Sequence, residues 1–147
     1  MKQLRATAVR TVPASAAATL ALLRELERYP DWYPEGVRSV QVLERSAAGH
    51  ARRAQAVLRL AHGPLQREFE LVIAVREPEA GTLVLEREPH GPSDPERLRV
   101  TWQAKERSLA LTLEAQLAVP RLLPVGGVGE ALAEGFLAAA ARALGER

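Results

Sequence analysis

Three histidines, His50, His62 and His90, carry the side chain best suited to proton transfer near neutral pH. Each stands near glycine or proline in a break between apolar stretches. None has a visible supporting partner, so they read as turn residues and not as acids or bases. No two have the spacing of a metal site on one helix or strand, so no metal is expected. Cysteine is absent, which removes disulfides, thiolate ligands and a cysteine nucleophile. Arg52, Arg67 and Arg87 stand two residues from Ala54, Phe69 and Leu85, and therefore on the apolar face of alternating stretches. An arginine there can pair with a carboxylate, phenolate or phosphate of an apolar ligand. The competing reading is that strand-end arginines lean out into solvent on their apolar stems. Glu68 and Glu70, near Arg59 and Arg99, read as a solvated sheet face and not as a catalytic pair. Gly126-Gly127-Val128-Gly129 lacks the full nucleotide-phosphate pattern and reads as a hinge into a helix.

The elements that must hold these residues follow from periodicity. Residues 2–10 alternate loosely and suit a first strand. Pro13 is placed to open a helix on which Leu20, Leu23, Leu26 and Tyr29 recur, and Pro30 to end it. The run Tyr29-Pro30-Asp31-Trp32-Tyr33-Pro34 has room for one short turn before Gly36. From Val37 to about Val119 the period becomes two, through six stretches that end with Leu109, Leu111, Leu113, Ala115 and Leu117. Short breaks at 47–49, 62–64 and 79–81 imply antiparallel hairpins. In such a meander the turn at 61–64, the loop at 88–96 and the exit at 118–125 share one end of the sheet, and His50 lies at the other. A last helix runs to about Leu144, with Val128, Ala131, Leu132, Gly135, Phe136 and Ala139 expected inward and Glu130, Glu134 and Arg142 outward.

Composition narrows the classes. At 147 residues the chain is expected to form a single domain, 1–147. Lys+Arg exceeds Asp+Glu by 20 to 18, and this near balance argues against a dedicated nucleic-acid binder. The apolar run Ala14–Leu23 includes Ser15 and Thr19 and is well short of the ~20 residues of a membrane span. It follows Lys2, Arg5 and Arg10 as a signal-peptide core would, yet runs into Arg24-Glu25-Leu26-Glu27-Arg28 and not into a cleavage site. A cytoplasmic protein without a membrane span is expected, with no cofactor, as a monomer or a homodimer.

The order strand, helix, short helix, six strands, long helix resembles the helix-grip order of the SRPBCC superfamily. That superfamily includes START lipid-transfer domains, polyketide cyclases and coenzyme Q-binding proteins. Val12-Pro13-Ala14, the box from Tyr29 to Pro34 and the terminal helix after a meander carry the resemblance, which covers nearly the whole chain. The box looks most like the polyketide cyclase and coenzyme Q-binding branch. The resemblance implies an α+β fold in which a curved antiparallel sheet of about seven strands wraps a long C-terminal helix, with two N-terminal helices and a ligand cavity.

Small residues on the inner faces fit a hollow: Ala54, Ala56, Ala104 and Ala115 on the strands, Ala131, Gly135 and Ala139 on the helix. Closer packing of helix on sheet is the competing explanation. The expected function is binding or transport of a hydrophobic small molecule, a lipid, quinone or polyketide-like compound. Leu58, Phe69, Leu71, Leu85, Val100, Trp102, Leu111, Leu113, Leu132 and Phe136 would wall the cavity, Trp102 serving as core or wall. Arg67 and Arg87 would orient a polar group. Trp32 and Tyr33 would form a lid, or else a hydrophobic plug. One alternative is an enzyme of cyclase or aromatase type, which needs an acid or base converging on the cavity. Another is a protein-interaction module, since the coenzyme Q-binding branch also resembles ribosome-associated toxins. That reading needs an exposed apolar patch near Trp32 or along the helix.

Overall fold

The computed structural model describes residues 2–63, 65–118 and 127–146; Pro120, Pro124 and Gly126 and the side chain of His62 lie outside it. Seven strands form one antiparallel sheet in the order β1-β7-β6-β5-β4-β3-β2. They are β1 (Lys2–Thr11), β2 (Val37–Arg45), β3 (Ala51–His62), β4 (Leu65–Glu79), β5 (Thr82–Arg87), β6 (Arg97–Lys105) and β7 (Ser108–Leu117). The helices are α1 (Ala16–Arg24), a 3-10 turn (Leu26–Arg28), α2 (Tyr29–Trp32) and α3 (Val128–Gly145). The fold is the α+β helix grip, a curved sheet with the C-terminal helix on its inner face. No helix among the described residues is long and apolar enough to cross a membrane.

The alternation in β7 is complete. Leu109, Leu111, Leu113, Ala115 and Leu117 are buried and the residues between them are not. That pattern can only be a strand with one face on a core. β3 is less regular, because Ala51 and Ala54 are both buried, three residues apart. The β2–β3 ladder slips here, at Val42/Glu44 and Glu44/Arg45. The slip reverses the alternation, so Arg52 is exposed and not inward as its parity predicts.

The helical boundaries also differ from expectation. Pro13 does not open α1. Ser15 caps it, its Oγ accepting from the Ala18 amide at 3.1 Å. Pro30 does not end it; α1 stops at Arg24, and Pro30 sits in the first turn of α2, where its missing N–H costs nothing. On α3 the buried stripe is Val128, Gly129, Ala133, Leu137, Ala140 and Leu144, with Ala139 beside it. Ala131 is exposed, and Leu132, Gly135 and Phe136 are half-buried. The helix is alanine-rich all round, so hydropathy alone gives its inner stripe no sharp direction. Gly127 caps α3 with φ of 79°, a left-handed conformation that glycine adopts without a Cβ penalty.

Candidate ligand-binding cavity

The inner face of the sheet has two unlike ends. Near the β6–β7 turn, α1 lies over β5 and β6, and Leu23, Leu83, Trp102, Leu109 and Leu111 are fully buried. Towards the other end the layers part around a cavity of about 100 Å³. Leu58 of β3, Phe69 and Leu71 of β4, and Leu85 and Arg87 of β5 border it. So do Val100 of β6, Leu113 of β7, and Leu132 and Phe136 of α3. Trp102 and Leu111 are on the same face but in the filled end, and do not border it. Parity assigns a residue to a face and says nothing of its position along the strand. Several wall residues escaped the sequence reading: Leu4, Val37, Leu60, Leu98 and Leu117, with Leu26 and Tyr29 from the helical segment. The strand members among them share the alternation and were legible from it.

The polar groups at the inner edge of the cavity are engaged with one another. The Arg87 side chain is 8% exposed; its Nη2 lies 2.7 Å from Asp94 Oδ2. Its Nη1 donates to the Glu96 carbonyl at 3.0 Å. The Asp94 carboxylate also accepts from the amides of His90 and Glu96, at 2.9 and 3.1 Å. The His90 amide, the Arg87 guanidinium and the Glu96 amide hold the Asp94 carboxyl well below the usual range. Arg67 is not part of the cavity wall. It turns along the strand to Glu96, at 3.0 and 3.2 Å, donates to the Ala118 carbonyl at 2.7 Å, and sits 4.1 Å above the Phe69 ring. Glu96 borders the cavity and accepts the Ala118 amide at 2.9 Å. Burial raises its carboxyl, but that amide and the charges of Arg67 and Arg87 prevail and leave it lowered. The start of β4, the loop at 88–96 and the exit at Ala118 do therefore meet at one end.

His50 and His90 do not meet. His90 is exposed and contributes only its amide, and His50 stands at the far end beside Arg24 and Glu77. Among the described residues no group of three or more His, Cys, Asp or Glu is placed to hold a metal ion. Glu68 and Glu70 are on the outer face; Glu68 lies opposite Arg59, Glu70 accepts from Gln55, and Arg99 pairs with Glu86.

The aromatic box forms a chain of rings. Trp32 is buried, 4.7 Å from the Tyr29 ring and 6.5 Å from Tyr33. The Tyr29 hydroxyl donates to the Leu23 carbonyl at 2.7 Å, and burial pushes this phenol far above its ordinary value, so it stays neutral. Tyr33 reaches α3, where its ring is 4.5 Å from Phe136, which in turn meets Trp102 edge-on at 5.9 Å. Two glycines make room for it. A Cβ on Gly36 would collide with the Tyr33 ring, and one on Gly135 would stand 2.6 Å from its hydroxyl.

No curated protein matches the chain. Solved structures of similar fold include a START superfamily protein from Mycobacterium smegmatis, 16% identical, with a TM-score of 0.71 over 97% of this chain and 98% of the other. The STAR-related lipid transfer protein of Xanthomonas axonopodis is 15% identical, with a TM-score of 0.57 over 95% and 85%. The Zhui aromatase/cyclase from Streptomyces sp. R1128 is 16% identical, with a TM-score of 0.54 over 96% and 86%. At these identities the likeness is one of fold. The sequence itself goes further, because the family described as polyketide cyclase / dehydrase and lipid transport matches residues 12–145. The chain therefore belongs to that family, within the SRPBCC superfamily to which START domains also belong.

Proposed function

We propose that the protein binds or carries a hydrophobic small molecule, of lipid, quinone or polyketide type, between the sheet and α3. The observation that carries this reading is the cavity: its wall is almost wholly apolar, and the charged groups at its inner edge are already paired. Such a space is dry and favours an apolar guest. Its volume of about 100 Å³ is smaller than the ~300–1,000 Å³ of sites for drug-sized ligands. A larger guest must displace wall side chains, of which Leu58, Phe69, Leu98, Leu132 and Phe136 are half-buried.

One observation supports the cyclase-type alternative: a carboxylate, Glu96, borders the cavity. A general acid works best with a pKa near the operating pH, and Glu96 is held in the opposite direction. Binding without chemistry is therefore the preferred reading. The interaction-module alternative has less behind it. Among the described residues the exposed large apolar side chains are Val9 and Leu43, on the two edge strands and not beside Trp32.

The test is mass spectrometry of an organic extract of the folded protein, beside a matched control and an Ala56→Leu variant that fills the cavity. The expected result is a stoichiometric apolar species, diminished in the variant. An empty extract, together with no saturable binding of the neutral dye N-phenylnaphthylamine, would overturn the reading.

A further inference from the structure

Among the described residues four side chains with polar atoms border the cavity: Tyr29, Arg59, Arg87 and Glu96. Each is already engaged or belongs to the other face. The Tyr29 hydroxyl donates to the Leu23 carbonyl at 2.7 Å. Arg59 is an exposed residue opposite Glu68 on the outer face. Arg87 is held by Asp94 and by the Glu96 carbonyl, at 2.7 and 3.0 Å. Glu96 accepts from Arg67 on both carboxylate oxygens and from the Ala118 amide on one of them. The strand backbone behind the wall is taken up by the ladders. Among the described residues the buried side-chain N and O atoms without a hydrogen bond belong to Thr19, Trp32 and Trp102, and none of these residues borders the cavity. A polar atom brought into this space would lose its water and find no partner in wait.

Resting on the binding reading above, we infer that the cavity holds an unsubstituted alkyl segment of the guest, and that the guest's oxygen-bearing end stays outside it. The volume points the same way. At about 100 Å³ the space is smaller than the ~150 Å³ that takes a benzene ring, so a ring must displace wall side chains where a slim chain need not. A polyhydroxylated aromatic guest fits worst, because each ring oxygen would be desolvated against leucine, valine and phenylalanine. A lipid chain fits best, and a quinone fits by an apolar tail and not by its ring. Arg87 and Glu96 close the edge of the wall as paired side chains.

The experiment titrates 1-octanol and 1,8-octanediol calorimetrically into the wild-type protein, Ala56→Leu and Val100→Thr, each checked for folding by circular dichroism. Octanol can enter by its methyl end, whereas the diol must carry a hydroxyl in. The diol is expected to bind at least about tenfold more weakly, the cost of desolvating one hydroxyl without a partner. Val100→Thr puts a hydroxyl of nearly the same shape into the wall and should narrow that gap, and Ala56→Leu should weaken octanol. The inference is overturned if the two probes bind the wild type equally well, or if the gap is the same in Val100→Thr. In either case octanol weakened by Ala56→Leu would still mark the cavity as occupied. If Ala56→Leu leaves octanol unaffected, or octanol does not bind the wild type, the binding reading fails and the inference with it.

Discussion

The two ends of the inner sheet face are built from the same strands by the same alternation, yet one is solid and the other hollow. At the solid end, large side chains from three strands, Leu83, Trp102 and Leu109, are fully buried, and α1 lies over β5 and β6. At the hollow end the covering element is the first half of α3, whose half-buried Leu132 and Phe136 do not fill the space left by the short side chains of Ala56 and Ala115. The contrast teaches that burial pattern and packing are separate properties. A residue can face inward and still have no partner across the interface, and it then contributes less to stability and more to what the space can hold.

Truncations should expose the contrast most strongly. Trp102→Ala, at the solid end, is expected to cost about 3–5 kcal/mol in urea unfolding. Leu58→Ala, beside existing empty space, should cost under about 2 kcal/mol. Equal losses would mean that the hollow end is as tightly packed as the solid one. Filling tests the same difference from the other side: Ala56→Leu should lower the affinity for N-phenylnaphthylamine more than about tenfold, and Ala104→Leu, at the solid end, should instead destabilise the fold by about 1–3 kcal/mol through overpacking.

A fifth substitution addresses the seat of Tyr33. Gly135→Ala gains about 1 kcal/mol of helix propensity but crowds the Tyr33 hydroxyl, so net stability should change by under about 1 kcal/mol. Dye dissociation, followed by stopped flow, should accelerate as Tyr33 is displaced, and an unchanged rate would remove Tyr33 from the path. Lowering pH should weaken the ion-paired edge of the cavity. Asp94 and Glu96 have depressed carboxyl values in the folded state, so their contribution is complete above the ordinary carboxylate range, roughly pH 4, and is lost as pH falls through their folded values. Asp94→Asn should flatten that acid limb in thermal melts. The smallest effect belongs to the outer face, where Arg99→Ala should cost less than about 1 kcal/mol despite its contact with Glu86.

Much of this was legible in the sequence. Complete alternation in β7 and the proline-aromatic box carried the helix-grip order and the family. Parity carried the inward face, and eight of the ten expected wall residues border the cavity. The rest depends on information that a local pattern does not hold. Arg52 was misplaced because a ladder slip reverses parity without leaving a glycine or proline behind. Trp102 and Leu111 were put beside the hollow because alternation has no coordinate along the strand. Arg67 does share the inward face, opposite Leu60, but it is taken up by Glu96 and Ala118, which are 29 and 51 residues away and leave no local sign of it. The stripe on α3 was rotated because alanine, on nearly every side, gives it no direction. Tyr33 between Gly36 and Gly135 was missed in part because its two seats are about a hundred residues apart in the chain.

The pairing of β1 with β7 has a consequence in time. Thr7 finds Thr112 across a gap of 105 residues, and β1 is also the strand on which Gly129 of α3 rests. During synthesis at about 5–20 residues per second, β1 waits on the order of 5–20 seconds for β7, its neighbour in the sheet. Until then its hydrogen-bonding edge is unpaired and its inner face has no helix to meet. The meander from β2 to β6 can assemble from near neighbours in the meantime, but the grip closes only when the last strand and the last helix arrive. Closure is thus a long-range event that waits for β7 and α3, and until then the nascent chain has most need of protection from other chains.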